Sequence, residues 1–295
     1  MQPSDLPPRD RVGYYIVNLL LTGLIKLALA LPYKTRVRFM GWLFAHVVGP
    51  LAGWNTRVRD NLALVWPDLP EARVGELERG VADNAGRSLI EMYSSKELRR
   101  GDWCKVMEGP GVAAYEAARA KGQPIIFASA HFGSYEEGRA LLTRSGSPAG
   151  ALYRPLNNPY FDRHYVSALS VAGTPLFARG RRGLGEMVRH LKGGGNVAIL
   201  LDQHMGTGAE LTFMGHRAYT STSPFEIAER YGALVIPCFA IRQPDGLSFH
   251  LWIEEPIPSM APEAMAQAYN DTLEALVHRY PEQWLWVHRR WKEAG

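Results

Sequence analysis

The sequence has 295 residues, 46% of them hydrophobic and 21% charged, which is enough to bury the core of one large domain or two ordinary ones. Its two cysteines, Cys104 and Cys238, form neither a disulfide framework nor a zinc-binding pattern. The formal net charge of +4 suits an anionic partner such as a membrane surface or an acidic carrier protein, and no groove-reading motif supports a nucleic-acid-binding protein.

The first predicted element is an apolar helix over Val12–Leu31, which ends at Pro32 and is flanked by basic residues on both sides. Twenty helical residues span about 30 Å, which is about the thickness of a bilayer core. We therefore predict that residues 1–32 form a hydrophobic membrane-anchor segment at the cytoplasmic leaflet, with Lys26 reaching the head groups. Two alternatives stay open: a signal peptide cleaved near Ala28–Ala30, and an ordinary buried helix.

The chain after this segment is mainly helical to about residue 122 and then alternates between strands and helices. The predicted strands are Ile125–Ala130, Ala149–Arg154, Val197–Asp202, Leu234–Arg242 and Phe249–Glu254. The predicted helices between and after them are Glu136–Arg144, Tyr160–Ala172, Leu184–Lys192, Pro224–Tyr231 and Pro262–Arg279. This alternation predicts an α/β fold with a mixed sheet flanked by helices.

Polar side chains follow three of these strands at the point where each strand ends. His131 comes directly after the first strand, Arg154 ends the second, and Asp202 and Gln203 end the third. Ligands of α/β proteins gather at the carboxyl ends of strands, so we expect these side chains to share one edge of the sheet.

The residues SYEE at 134–137 predict a helix start. They fit a capping box in which Ser134 is the N-cap and Glu137 reaches back to it. Glu136 is then left for another task, and with a turn at Gly133 its carboxylate would meet the His131 imidazole. Such a carboxylate fixes the tautomer and makes the other ring nitrogen a general base. A purely structural histidine near a capped helix is the alternative that this motif alone does not exclude.

Six segments of the sequence form a pattern that runs along nearly the whole chain. In chain order they are RVRDNLALVWPDL, HFGSYE (His131 to Glu136), LYRPLNNPYFD, RRGLGEMVRHLKGGGNVAILLDQ, FMGHRAYTSTSPFEIAERYGALVIPCFAIR and YPEQWLWVHRRWK. Together they resemble the motifs, in family order, of the lipid A biosynthesis acyltransferases, a late lauroyl- and myristoyl-transferase group among the H-x4-D/E acyltransferases.

The resemblance implies a glycerolipid-acyltransferase-like fold over residues 33–295 and a function at the cytoplasmic face of the bacterial inner membrane. The enzyme would move a fatty acyl chain from acyl carrier protein to a hydroxyl of a lipid A precursor or related glycolipid. His131 would be the base and Glu136 its partner, and the positions for substrate or oxyanion binding would be Arg154, Arg181, Asp202 and Gln203. No metal and no cofactor besides the acyl-carrier co-substrate are implied.

Two other functions share parts of this pattern. An acyl-CoA-dependent phospholipid-type acyltransferase shares the H-x4-D/E motif but lacks the closing PEQWLWVHRRWK pattern. A non-catalytic lipid-binding or carrier-binding protein would keep the fold without the chemistry, and the intact His131 and Glu136 argue against it.

A basic cluster lies in and beside one of these motifs and is echoed in the closing motif. Its members are Arg179, Arg181, Arg182, Arg189 and Lys192, and then His288, Arg289, Arg290 and Lys292. The cluster is suited to an acidic carrier protein or to lipid phosphates, although a solvated charged surface has the same composition.

Overall fold

The computed structural model describes residues 7–292 of the chain. The helices in this range are α1 (Pro8–Leu29), α2 (Tyr33–Leu43), α3 (Gly49–Leu51), α4 (Trp54–Val65), α5 (Glu71–Tyr93), α6 (Ser95–Arg100), α7 (Val112–Ala120), α8 (Tyr135–Arg144), α9 (Pro159–Ala172), α10 (Arg181–Lys192), α11 (Ser223–Tyr231) and α12 (Pro262–Arg279). A π-helical turn, Phe44–Val48, joins α2 to α3.

The strands are β1 (Cys104–Glu108), β2 (Ile125–Ser129), β3 (Ala149–Tyr153), β4 (Leu176–Ala178), β5 (Asn196–Leu200), β6 (Ala209–Phe213), β7 (His216–Thr220), β8 (Leu234–Arg242) and β9 (Phe249–Ile253). Seven of them form one sheet in the order β1-β9-β8-β2-β5-β3-β4, and β6 pairs with β7 in a separate hairpin. Only the β8–β9 pair of the large sheet is antiparallel. The prediction of an α/β fold with a mixed sheet is therefore confirmed.

The sheet separates two hydrophobic cores because successive strand residues point to opposite faces. In β2, Ile126 and Ala128 belong to the core that contains α10, α11 and α12 residues, whereas Ile125 and Phe127 belong to the core beneath α7 and α8. All five residues of β2 are buried, so this strand is central and its end lies inside the protein.

The N-terminal helices pack as an extra layer on α5 and α9. Ile25 and Ala28 of α1 are buried together with residues of α2 and α5, and the Arg36 guanidinium fixes the layer through a hydrogen bond of 3.1 Å to Ser94 Oγ and an ion pair of 2.6 Å with Glu97. The segment Asp10–Leu29 has a mean hydropathy of 1.7 and is 17% buried, so it is the candidate membrane span in residues 7–292 by length and composition. The division at residues 32 and 33 stays a prediction, and residues 1–6 lie outside the described part.

Candidate active site

Three strand ends meet at one edge of the sheet, as the sequence predicts. β2, β5 and β3 are parallel neighbours, and Ser129 pairs with Leu200 in the register of β2 and β5. His131 and Asp202 each follow two residues after that pair. The register alone therefore places the histidine beside the aspartate.

Asp202 orients His131 through two hydrogen bonds. Its Oδ1 lies 2.9 Å from the ring Nδ1, and its Oδ2 accepts the His131 backbone N–H at 3.0 Å. Oδ2 also accepts the Trp284 indole N–H at 3.0 Å. Asp202 is fully buried, so these donors replace the water that the carboxylate loses.

The electrostatics favour an ionised Asp202. Burial by itself would raise the pKa of this carboxyl, but the adjacent His131 ring and the hydrogen bonds from His131 outweigh burial and hold the pKa below its ordinary value. A carboxylate on Nδ1 selects the tautomer that carries its proton there. Nε2 is then the basic nitrogen of His131, whose side chain borders the cavity described below.

The predicted contact between Glu136 and the imidazole is wrong. Glu136 is buried in the first turn of α8, where its Oε2 accepts from Arg139 Nη2 at 2.6 Å and Arg139 Nε at 3.1 Å. Arg139 also donates to the carbonyl oxygens of Gly173 and Leu169. Residues three apart on a helix are neighbours, so Glu136 pairs along its own helix while Asp202 reaches the ring from the adjacent strand.

The predicted capping box is also wrong. Ser134 is the N-cap of α8, but its side chain accepts no capping hydrogen bond, and its backbone carbonyl oxygen accepts from the N–H groups of Glu137 and Gly138 instead. The Glu137 side chain points into the protein, where Oε2 has no hydrogen-bond partner among the described residues. Burial and the nearby Glu91 raise the pKa of Glu137 to about 8.

The closing segment of the chain holds the His131 loop in place. The His131 carbonyl oxygen accepts the Leu285 N–H at 3.0 Å, and the Gln283 carbonyl oxygen accepts the Gly133 N–H at 3.0 Å. Gly133 has a φ of +54°, and a Cβ at this position would lie 1.9 Å from the Ala240 carbonyl oxygen. A side chain would clash in this turn, which explains why position 133 is a glycine.

His288 is a second histidine at the site, which the sequence prediction assigned to a basic surface. Its ring centroid lies 4.8 Å from that of His131, and its Nε2 lies 3.3 Å from Gln203 Nε2. Burial lowers the pKa of His288 to about 4; the charges of His131 and Arg290 act in the same direction, and Asp202 acts against them. His288 is therefore neutral at pH 7.

A cavity of about 540 Å³ opens beside His131. Ala198 and Leu200 line it on one face of β5 and Ile199 and Leu201 on the other, so the cavity reaches both faces of the sheet at this edge. Much of the wall is apolar; besides these residues it includes Leu142, Ala151, Leu152, Leu169, Leu184, Met187, Ile227, Cys238, Ala240 and Leu251. Its volume falls in the usual range of small-molecule sites.

The structure brings some of the predicted polar residues to this cavity and not others. Glu136, Arg154 and Gln203 line it, with Arg154 and Gln203 exposed at its surface. Asp202 lies behind His131 rather than on the wall. Arg181 is exposed at the start of α10 and does not line the cavity; Arg179 does, and its Nη2 lies 3.7 Å from Met205 Sδ.

His131, Asp202 and His288 also offer the one set of possible metal ligands in residues 7–292, with their ligand atoms within 4.8 Å of one another. A metal ion there would compete with the three N–H groups that already donate to Asp202. These residues fit a hydrogen-bonded base better than a metal centre, and metal-free chemistry stays a prediction.

Comparison with known proteins identifies the family. The sequence matches the family described as bacterial lipid A biosynthesis acyltransferase over residues 6–293. The chain belongs to this family. The resemblance stated from the motifs is thereby confirmed, and membership supports an acyltransferase that acts on lipid A.

Individual relatives can be aligned with this chain over most of its length. The lipid A biosynthesis lauroyltransferase of Escherichia coli (strain K12) is 25% identical over 94% of this chain and 92% of its own length. The lipid A biosynthesis palmitoleoyltransferase of the same organism is 26% identical over 92% of this chain and 89% of its own length. A lipid A biosynthesis acyltransferase of Haemophilus influenzae is 25% identical over 87% of this chain.

The closing motif of this acyltransferase is basic in composition, but one of its arginines is buried and has a structural role. Arg290, predicted to lie on a basic surface, is fully buried and donates to Tyr219 O at 2.7 Å and Thr220 Oγ1 at 2.6 Å. It thereby joins the β6–β7 hairpin to the segment that carries Trp284 and His288. The surface prediction holds for Arg289 and Lys292, which are exposed, and is wrong for Arg290.

Proposed function

We propose that this protein transfers a fatty acyl chain from the thioester of acyl carrier protein to a hydroxyl of a lipid A precursor or a related glycolipid, at the cytoplasmic face of the bacterial inner membrane. The observation that carries the proposal is the oriented His131 at the edge of a largely apolar cavity. The cavity walls suit an acyl chain, and the histidine suits the activation of a hydroxyl.

The reaction follows from the orientation of the ring. Asp202 holds the proton of His131 on Nδ1, so Nε2 takes the proton of the acceptor hydroxyl while that oxygen bonds to the thioester carbonyl carbon. The oxyanion collapses, the carbon–sulfur bond breaks, and the imidazolium returns its proton to the thiolate. The products are an ester and a free thiol, and no other reactant is required.

Two residues are candidates for stabilising the oxyanion or holding the acceptor. Arg154 and Gln203 both line the cavity, and a positioned donor of this kind contributes roughly 10²–10³-fold in rate. Glu136 lines the same cavity and fixes Arg139 against α9, so we assign it a positioning role in place of direct contact with the imidazole.

The donor proposal rests on the basic surface of α10. Arg181, Arg182, Arg189 and Lys192 are exposed on this helix, while Leu184 and Met187 of the same helix line the cavity. An acidic carrier protein bound to the basic surface would be positioned to deliver its thioester to that cavity. Among these four residues Arg182 has an acidic neighbour on the helix, Glu186, at 3.0 Å.

The membrane proposal rests on α1. Its apolar segment is largely exposed, and α1 contacts the cavity region because the Asn158 side chain donates to the Tyr14 carbonyl oxygen at 2.8 Å and the Tyr15 and Tyr160 rings meet edge to face at 5.5 Å. Asn157 of the same loop lines the cavity. A lipid acceptor in the bilayer would therefore meet the site near the first half of α1.

The test is an acyl-transfer assay with purified protein, acyl carrier protein or CoA as donor, and a lipid A precursor as acceptor. We expect transfer from the carrier thioester to depend on His131 and its apparent affinity to weaken as ionic strength rises. Equal use of acyl-CoA together with salt-independent rates would favour the phospholipid-type alternative. Normal transfer by the His131→Ala variant would contradict the mechanism.

A further inference from the structure

The exposed apolar side chains of the protein are concentrated near its N-terminus. Of the 18 large hydrophobic side chains that residues 7–292 expose, ten lie between Val12 and Leu31 and four between Phe39 and Leu51. The remaining four are scattered over the rest of the described chain. The exposed apolar surface therefore continues beyond the anchor helix α1 into a second segment.

This second segment is amphipathic. Tyr33, Val37 and Met40 of α2 are buried in the layer that α2 forms with α1 and α5. The opposite face carries Phe39, which is 39% exposed, and Trp42, which is 52% exposed, and the surface continues through Val47 to Leu51, which is 85% exposed. We call Phe39, Trp42, Val47 and Leu51 the α2–α3 patch.

The residues around the patch indicate which surface covers it. Lys34, Arg38 and Trp42 are spaced four residues apart along α2 and are all exposed, so two cations precede the aromatic residue on one stripe. Tryptophan and basic residues together are typical of the head-group region of a bilayer, where the ring is amphipathic and the cations meet lipid phosphates. A solvated helix face would not need the apolar members.

We propose that the α2–α3 patch lies in the head-group region of the same bilayer that holds α1, as a second membrane contact. The inference rests on the membrane location given under the proposed function and adds the surface that sets the orientation of the domain. One helix alone leaves the domain free to tilt relative to the membrane plane. A second contact separated from it along the chain restricts that motion and keeps the cavity entrance beside α1 at the membrane surface.

The native cysteines make a site-specific test possible. Cys104 and Cys238 are buried, and burial raises the pKa of each thiol to about 12, so an introduced surface cysteine is labelled selectively. We would label full-length Leu51→Cys and Trp42→Cys with an environment-sensitive fluorophore. Leu20→Cys in α1 reports the anchor, and Met260→Cys, at an apolar position that is 38% exposed and lies outside the N-terminal segments, is the control.

The measurement uses the full-length protein in vesicles of phosphatidylethanolamine and phosphatidylglycerol, with and without lipids that carry a nitroxide on the acyl chain. We expect blue-shifted emission and several-fold stronger quenching at positions 42 and 51 than at position 260. Strong quenching at position 20 with control-like emission at 42 and 51 would overturn the patch and leave the anchor intact. Weak quenching at position 20 as well would overturn both.

Other occupants of the patch give different results. If a second copy of the chain covered it, the emission at positions 42 and 51 would be blue-shifted in proportion to protein concentration and insensitive to nitroxide lipids. That outcome would contradict the proposal. The proposal also predicts the effect of changing Lys34 and Arg38 together to glutamate. Lipid quenching at position 51 should then be weaker than in the variant that keeps both basic residues, because the anionic head groups would repel this face.

Discussion

At the scale of single residues, the site depends on which carboxylate reaches which partner. Asp202 lies just past the end of the neighbouring strand and holds the His131 ring, and Glu136 pairs with Arg139. The Glu137 Oε2 has no hydrogen-bond partner within residues 7–292. Three acidic side chains within one small region therefore have three different charge environments. Their expected behaviour on titration and substitution differs accordingly.

Glu137 makes the folded protein sensitive to pH in a defined direction. Its pKa is raised from 4.5 to about 8, so between these values the folded chain binds a proton that the unfolded chain has lost. The stability contributed by the protonated form is complete below pH 4.5 and is lost as pH rises towards 8. Glu137→Gln cannot ionise, and its stability relative to the unsubstituted protein should increase with pH, by on the order of a few kcal/mol at pH 8.

The measurement is chemical denaturation of both proteins at pH 5, 6, 7 and 8. A stability difference that does not change over this range would show that Glu137 is ionised in the folded state. Acyl transfer per folded molecule should be similar in the two proteins, since Glu137 does not line the cavity.

The residues of the site can be predicted from the sequence more readily than their pairings. The sequence predicts that His131, Asp202 and Arg154 share one sheet edge, because a buried apolar run that ends in a polar residue can be recognised from the sequence. The prediction that Glu136 contacts the His131 ring is wrong for two reasons that the sequence does not show. β2 and β5 are neighbours, which brings Asp202 to the ring, and Arg139 binds the Glu136 carboxylate. The position of His288 at the site is not predicted, because His288 lies in a basic run that reads as a charged surface. Arg290 of the same run is buried.

At the scale of elements, the predicted strand β8 has the observed bounds, and β2, β3, β5 and β9 differ from the predictions by one or two residues at their ends. β1 was hidden in a stretch that reads as helical, and β4 has only three residues. The β6–β7 hairpin was missed because its turn consists of Met214 and Gly215, both with positive φ. A methionine in the first turn position carries none of the usual hairpin signal.

The closing segment of the chain supports the base through one indole. Trp284 and Trp286 are both fully buried, and each donates a hydrogen bond, Trp284 to Asp202 and Trp286 to the Pro281 carbonyl oxygen. Trp284→Phe should lower kcat and cost about 1.5–3 kcal/mol of stability, because it removes a hydrogen bond to a charged group. Trp286→Phe is the matched control, which should cost stability without a comparable loss of kcat.

The test scores both variants for melting temperature and for transfer per folded molecule. Equal effects of the two variants on kcat would mean that the Trp284 indole acts only through packing.

The apolar wall of the cavity should set which acyl chains are accepted. Ala198 of β5 faces the cavity, and Ala198→Leu fills part of the space on that side. We expect the variant to favour shorter donors than the unsubstituted protein in competition assays with carrier thioesters of different length. Ala113→Leu, the same change at an exposed position of α7, should leave the preference unchanged. An unaltered preference in Ala198→Leu would place the acyl chain elsewhere.

At the scale of the whole molecule, the proposed function makes α1 the link between the membrane and the site. A variant that lacks residues 1–31 should leave the membrane fraction to a large extent and lose activity on an acceptor embedded in vesicles, because it removes both the apolar segment and the contact of Tyr14 with Asn158. The check is fractionation of cells or vesicles together with turnover. Full-length protein that stays soluble without detergent, or a mature chain that begins near Leu31, would contradict the anchor.

The role of His131 as a base oriented by Asp202 is tested most directly by measuring acyl transfer per folded molecule for the variants Asp202→Asn, Glu136→Gln and His131→Ala. An amide at position 202 no longer holds the proton on Nδ1, so we expect Asp202→Asn to lower kcat by about 10²–10⁴-fold, towards the level of His131→Ala. Combining His131→Ala with Asp202→Asn should lower kcat little further than His131→Ala alone, because the histidine and the aspartate act as one unit. Near-normal turnover of Asp202→Asn beside an inactive but folded Glu136→Gln would contradict the account and return the partner role to Glu136.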